Sequence, residues 1–208
     1  MGAGGSAYRI DLSGASANPY SAVSSGTTQA LRAACRVSDT ELYVVGDGGT
    51  LRLYNGSTLA PMTSPAAKNL TDVVCLGPGS AVAVGESGTV LRLSNGAWTA
   101  PAPAFPNPNV TLTAVGASGG VVFVAGDAAF ARLEGNAWSP LPAQPRLAHL
   151  VVRAESDVYA TSSGTEVVRF DGMGWTNLGS SAHLLRGVGA GGGRVVFVGS
   201  GGVVLEGQ

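Results

Sequence analysis

LYVVGDGGT at residues 42–50 recurs with variation as AVAVGESGT (81–89), VFVAGDAAF (122–130), VYATSSGTE (158–166) and VFVGSGGVV (196–204). With Gly46, Gly85, Gly126, Ser162 and Gly199 taken as one column, successive members stand 39, 41, 36 and 37 residues apart. A period of about 40 residues is the mark of a stacked or circular repeat architecture.

Each repeat divides into four short apolar runs. In the second, LTDVVCL (70–76), AVAVG (81–85) and TVLRL (89–93) are separated by Gly-Pro-Gly and Glu-Ser-Gly turns, and AWTAPAP (97–103) follows Ser-Asn-Gly. Runs of this length between glycine-bearing turns read as strands and hairpins, and no stretch carries the 3.6-residue period of a helix. The second run of each repeat is nearly all apolar, which suits a sheet covered on both faces. Four strands in about 40 residues make one β-propeller blade. The expected fold is therefore all-β, a five-bladed β-propeller of four-stranded antiparallel blades.

Other columns support the same cut. First strands open Leu-x-x-apolar at Leu31, Leu70, Leu112, Leu147 and Leu185. Third strands carry Arg52, Arg92, Arg132 and Arg169, and Trp98, Trp138 and Trp175 follow. Indoles recurring in register at outer strands are expected to pack between blades. The arginines are expected to lay their stems on a neighbouring blade, with the head reaching water or a carbonyl. At the N-terminus, Tyr8 to Gly14 (YRIDLSG) matches a third strand, and Asn18-Pro19-Tyr20 falls where a fourth belongs. The repeats then run about 29–68, 69–109, 110–146, 147–182 and 183–208, with 7–28 closing the last blade by pairing with it and removing a free edge. Residues 1–6 form a flexible lead to a single domain spanning 7–208.

Val44-Val45-Gly46-Asp47-Gly48-Gly49-Thr50-Leu51, Val84-Gly85-Glu86-Ser87-Gly88-Thr89-Val90, Asn95-Gly96-Ala97-Trp98 and Gly135-Asn136-Ala137-Trp138 resemble bacterial repeats of the kind VYAVGxxGTIxxYxGxxW. Those repeats are similar to the BNR or Asp-box propellers and to the photosystem II assembly factor propellers. The resemblance covers residues 29–208, extends in weaker form to 7–28, and implies a propeller. It implies no one activity, because such repeats occur in assembly factors, adhesive surface proteins and hydrolases. The strict Asp-box, Ser-x-Asp-x-Gly-x-Thr-Trp, is absent, so sialidase chemistry is not carried over.

Composition narrows the partners. A net charge of −1 gives no electrostatic case for nucleic acid, and no apolar run reaches the 18 residues of a membrane span. Cys35 and Cys75 lie 40 residues apart, close to one repeat, and are expected to be buried thiols on adjacent inner strands. Neither His149 nor His183 has metal-ligand spacing with a second histidine or a cysteine. No metal or cofactor is expected.

If the propeller has a site, its loops place it. Asp47, Glu86 and Asp127 from the second turns, with Arg32, Asp72, His149 and Arg186 from the starts of the inner strands, are expected on one axial rim able to hold a polar sugar or peptide. Acids after a glycine also complete tight turns, and both readings stand. The expected function is a non-catalytic binding scaffold of a bacterial secreted or cell-surface protein. Its partner would be a protein or a glycan, and the chain a monomer unless it is part of a larger ring. The alternative is a carbohydrate-binding lectin or a glycoside hydrolase. The latter needs a carboxylate pair about 5 to 9.5 Å apart, for which Asp72 with Asp47 or Glu86 is the candidate.

Overall fold

The computed structural model describes residues 2–10, 19–101 and 104–207. Asp11 to Asn18, within the N-terminal segment read as third and fourth strands, lie outside the described residues. The fold class is the expected β-propeller, an all-β chain of repeated antiparallel blades. Its helical pieces among the described residues are three-residue 3-10 turns at Ala3–Gly5, Asp47–Gly49 and Ser200–Gly202. The chain divides into two compact units, Met1–Pro101 and Ala102–Gln208.

The first unit opens with a two-stranded sheet of β1 (Tyr8–Ile10) and β2 (Tyr20–Ala22). The first blade follows, with β3 (Leu31–Ser38), β4 (Glu41–Gly46), β5 (Leu51–Tyr54) and β6 (Leu59–Pro61) in sequential order. The second comprises β7 (Leu70–Gly77), β8 (Ser80–Gly85), β9 (Val90–Ser94) and β10 (Ala97–Thr99). In the second unit, the third blade is β11 (Leu112–Ser118), β12 (Val121–Gly126), β13 (Ala129–Glu134) and β14 (Ala137–Pro140). The fourth is β15 (Ala148–Ala154), β16 (Asp157–Ser162), β17 (Glu166–Phe170) and β18 (Trp175–Ser180). The fifth has three strands among the described residues, β19 (Leu185–Gly191), β20 (Arg194–Gly199) and β21 (Val204–Gly207).

The glycine column has a steric cause. A Cβ on Gly46 would lie 2.1 Å from the carbonyl oxygen of Ala30, and the corresponding contacts of Gly85, Gly126 and Gly199 are 2.2, 2.2 and 2.3 Å, to Asn69, Thr111 and Leu184. No side chain fits there. In the fourth blade the column holds Ser162, whose hydroxyl donates to the Pro145 carbonyl at 2.8 Å. That blade's inner pairing is also irregular, its register shifting between Ala148 and Val151. Elsewhere each inner strand carries one extra residue at its start, a β-bulge at Arg32, Thr71, Thr113 and Arg186.

Second strands are the most buried elements. All six residues of β12 are buried, as are five of the six in β8 and in β16, which accounts for their continuous apolar sequence. Trp98 and Trp175 pack between blades as expected. Trp98 on β10 meets Tyr43 of the first blade edge-on, with ring centroids 6.1 Å apart. Trp175 on β18 lies 4.9 Å from Phe130 of the third blade and donates its N–H to the Pro142 carbonyl at 2.7 Å. Trp138 meets Phe105 edge-on at 5.0 Å.

Two expectations are corrected. The cysteines are not free thiols, because Cys35 and Cys75 form a disulfide with Cα atoms 5.5 Å apart. Blades splay outward, so adjacent inner strands are where they approach most closely, and β3 and β7 come within bridging distance. The arginines do not form one column. Arg92, Arg132 and Arg169 pair with the residue three before the turn (Val82, Phe123, Tyr159), whereas Arg52 pairs with Val44, two before it. A one-residue offset puts Arg52 on the opposite face of its strand. The heads do find local partners: Arg52 donates to the Gly26 carbonyl at 3.0 Å and Arg169 to Asp157 at 2.7 Å.

Closure of the last blade by the N-terminal segment is not shown: among the described strands β1 pairs with β2 and β21 with β20. The N-terminal segment repeats the outer half of a blade, with β1 and β2 in the places of a third and a fourth strand. Gly2 to Ser6, expected as a lead, make the same turn as Gly46 to Thr50, with Gly4 at φ 65° and Gly48 at φ 62°. Gly5 stands against the Thr27 carbonyl as Gly49 does against that of Ala66. Its apolar side is already used, with Ala7 and Val23 packed with Leu31, Val44 and Leu59 of the first blade.

Two outcomes follow from this packing. Trp98→Ala is expected to cost about 3 to 5 kcal/mol in chemical denaturation, as the loss of a buried indole does. The double variant Cys35→Ser, Cys75→Ser is expected to lose about 2 to 4 kcal/mol, and a reductant should lower the parent's melting temperature while leaving the double variant's unchanged.

Candidate functional site

The second turns of the first unit are closed by main chain and threonine. Thr50 donates to the Asp47 carbonyl through its backbone N–H at 3.1 Å and its hydroxyl at 2.6 Å. Thr89 does the same to Glu86, at 3.1 and 2.6 Å. The acids' own N–H groups reach back to the residue before the inner strand, Asp47 to Ala30 at 2.9 Å and Glu86 to Asn69 at 3.0 Å. The carboxylates are therefore not needed to hold these turns, which leaves them to other partners.

Those partners are local. Arg32, projected by the bulge that opens β3, grips Asp47 with two nitrogens: Nε pairs with Oδ1, and Nη2 donates to Oδ2 at 3.1 Å. This bond, more than the opposing partial burial, raises the Arg32 pKa, with further help from the charges of Asp47 and Glu86. Asn69 joins the neighbouring turn, accepting from the Gly48 N–H at 2.9 Å and donating to Glu86 at 2.9 Å. Arg32, Asp47, Asn69 and Glu86 thus form one polar chain across the first and second blades. Asn69 was missed from sequence, although its place directly before Leu70 was the available signal.

Asp72 does not join Arg32 in register. The bulge residue of β7 is Thr71, whose hydroxyl donates to the Val84 carbonyl at 3.1 Å, and Asp72 follows it and accepts from the Val73 N–H at 2.9 Å. Glu41, at the opposite end of its blade, is a second carboxylate that sequence did not single out. It accepts from the Gly79 N–H and from the Tyr43 hydroxyl, each at 2.7 Å, clamping the hairpins of two blades. The Gly79 bond and then the Tyr43 bond hold the Glu41 pKa below its ordinary value. Burial and this partner push Tyr43 up to about 12.

In the second unit, Asp127 stands exposed after Gly126, and its N–H reaches the Thr111 carbonyl at 3.4 Å. His149 lies in the irregular start of β15 with φ at 49°. Partial desolvation, and then the charge of Arg186, hold its pKa below 6.5. The structure thus brings Arg32, Asp47 and Glu86 together in one unit and His149 beside Arg186 in the other. No cluster of three metal-ligating side chains occurs among the described residues, and no helix is long and apolar enough to cross a membrane.

No family model and no curated protein matches the chain. Among solved structures it is similar to YCF48 bound to a D1 peptide, at 20% identity and a TM-score of 0.72, covering 96% of this chain and 71% of that one. The WD40 propeller domain of Doa1 aligns at 13% identity and a TM-score of 0.71, covering 86% of this chain and 64% of that one. PorZ, a surface component of the type-IX secretion system of Porphyromonas gingivalis, aligns at 13% and 0.65, covering 98% of this chain and 30% of PorZ. The likeness is one of fold.

A base whose folded pKa is depressed contributes stability that is present above its unfolded value and lost as pH falls through the folded one. Arg186→Gln is expected to move the His149 titration upward but not fully to 6.5, because the desolvation remains. Imidazole NMR titration of both proteins checks this.

Proposed function

We propose that this chain is a non-catalytic interaction scaffold of a secreted or cell-surface bacterial protein, presenting short loops on a stiff frame of blades. One observation carries the reading: two rim acids of the first unit are absorbed into regular local structure. Asp47 is held by Arg32 and Glu86 by Asn69, and the turns that bear them are equal, short and closed by their own main chain. A surface fixed in this way binds with little ordering cost. The neighbours lend support, because YCF48 is seen with a D1 peptide and PorZ is a bacterial surface component. The Cys35–Cys75 bridge supports a place outside the cytosol, where disulfides persist.

The competing reading is a lectin or glycoside hydrolase working through Asp72 with Asp47 or Glu86. The double variant Asp72→Asn, Glu86→Gln changes two half-buried acceptors while keeping an amide oxygen at each, and is expected to lower stability by no more than about 1.5 kcal/mol per position. Neither protein should turn over a panel of glycosides and esters. Immobilised parent should retain specific proteins from a bacterial envelope extract. Turnover by the parent that the double change abolishes at unchanged melting temperature overturns the proposal in favour of a hydrolase, and selective capture on a glycan array overturns it in favour of a lectin.

A further inference from the structure

The first and fifth blades share one backbone at the rim. Each inner strand carries its extra residue at an arginine, Arg32 between Leu31 and Ala33 and Arg186 between Leu185 and Gly187. Each second strand ends in a glycine and a three-residue turn, Asp47–Gly49 or Ser200–Gly202, whose middle glycine stands at φ 62° or 68°. The first N–H of the turn reaches the carbonyl before the inner strand at 2.9 Å in both blades, from Asp47 to Ala30 and from Ser200 to Leu184. The acid is what differs. Arg32 grips Asp47 with two nitrogens, whereas the place of Asp47 in the fifth blade holds Ser200, whose hydroxyl is turned to the Leu184 carbonyl at 3.3 Å. Asp47 belongs to the same blade as Arg32, so the loss of the carboxylate is decided within the fifth blade by Ser200. The guanidinium of Arg186 is exposed and makes no hydrogen bond or ion pair among the described residues.

Both histidines of the chain stand around this place. His183 lies against the turn itself, since a Cβ on Gly201 would be 2.9 Å from its Cε1 and its Nδ1. His149, on the fourth blade, is near enough to Arg186 for that charge to act on its imidazole. Its backbone is held at φ 49° by the irregular start of β15, where the Thr161 hydroxyl donates to the Ala148 carbonyl at 2.9 Å. A non-glycine residue keeps such a conformation only where its surroundings impose it. Both rings are exposed, and each offers a ring N–H as donor. This rim therefore combines a guanidinium fork with two imidazoles, and no carboxylate lies within ion-pair distance of any of the three among the described residues.

We propose that this rim binds a carboxylate of a partner protein, an aspartate or glutamate side chain that takes at Arg186 the place Asp47 holds at Arg32. Arg186 receives it with two nitrogens, and His183 and His149 flank it as donors. The fork of a guanidinium matches the two oxygens of a carboxylate, and the first blade shows this backbone seating one. An exposed ion pair adds little by itself, so the carboxylate arrives on a larger partner whose other contacts supply the remaining affinity. The inference rests on the interaction-scaffold reading and gives the partner an acidic residue.

A peptide with the sequence of residues 46–50 (GDGGT), acetylated and amidated so that it carries a single carboxylate, is the probe. At fixed neutral pH it should shift the imidazole NMR signals of His149 and His183 saturably in the millimolar range, and the same peptide with asparagine for its aspartate should shift neither. Arg186→Gln should weaken binding about ten-fold or more, as removal of one partner of a charge pair does. Ser200→Asp restores the acid of the first blade on a turn of the same conformation, so this variant should fold normally, pair with Arg186 and exclude the peptide. Shifts that survive either variant, equal shifts with the asparagine peptide, or no shift at millimolar peptide overturn the assignment. Inorganic phosphate that saturates the same shifts at micromolar concentration overturns it in favour of a phosphate-bearing ligand. Envelope proteins retained by the parent should be lost from Ser200→Asp. Equal retention by both, with peptide binding as expected, turns the site to free small carboxylates and overturns the protein partner here while leaving the scaffold reading standing.

Discussion

At the end of the second strand the backbone passes so close to the carbonyl before the inner strand that a side chain has no room. The Cβ distances of 2.1 to 2.3 Å at Gly46, Gly85, Gly126 and Gly199 mean that any other residue must push the inner strand away. That contact fixes where the first and second strands of a blade begin and end relative to each other. The bulge at Arg32, Thr71, Thr113 and Arg186 follows immediately, because the inner strand must regain its register after the approach. The one blade that departs from glycine, with Ser162, is the one whose inner strand starts irregularly and carries His149 at positive φ.

This constraint explains why the fold was legible from sequence. A steric requirement on one residue type leaves a column that survives when side chains around it change, and its five members, four of them glycine, spaced about 40 residues apart define the blades. The tryptophans were legible for a related reason, since a large indole at fixed register has one place to go between packed sheets. The arginines were not. Arg52 looks aligned with Arg92 by its apolar neighbours, but strand faces alternate with each residue, and a shift of one reverses the side on which it projects. The disulfide was invisible for a different reason, because spacing of one repeat gives equivalent positions without giving the distance between them. Only the convergence of β3 and β7 decides that.

The N-terminal segment shows how local and tertiary signals separate. Its YRI pattern correctly marked a third strand, and β2 supplies the fourth, with Tyr20 opposite Ile10 in the outer-strand register that Trp98 occupies opposite Leu93. What sequence did not reveal is the first-blade surface that these strands cover. That depends on which apolar face is free, and Ala7 and Val23 find theirs on Leu31, Val44 and Leu59. Edge strands advertise pairing capacity but do not name a partner.

For the candidate site the same separation holds. Sequence placed Asp47, Glu86 and Arg32 near one another correctly in the first unit, because turns and strand starts at the same end of a blade must be neighbours. It did not show that main chain and threonine close the turns, or that Asn69 stands between them. Those two facts change the chemistry of the surface. A carboxylate gripped by a two-pronged arginine, or held by an amide donor, is a fixed feature of shape and charge. A glycosidase needs instead a proton on one carboxyl and free nucleophilic or basic character on the other, whereas Asp47 is gripped by Arg32 and Glu86 accepts from Asn69. The rim of the first unit is thus held in place by its own side chains, and that fixity is what the proposed scaffold reading draws on.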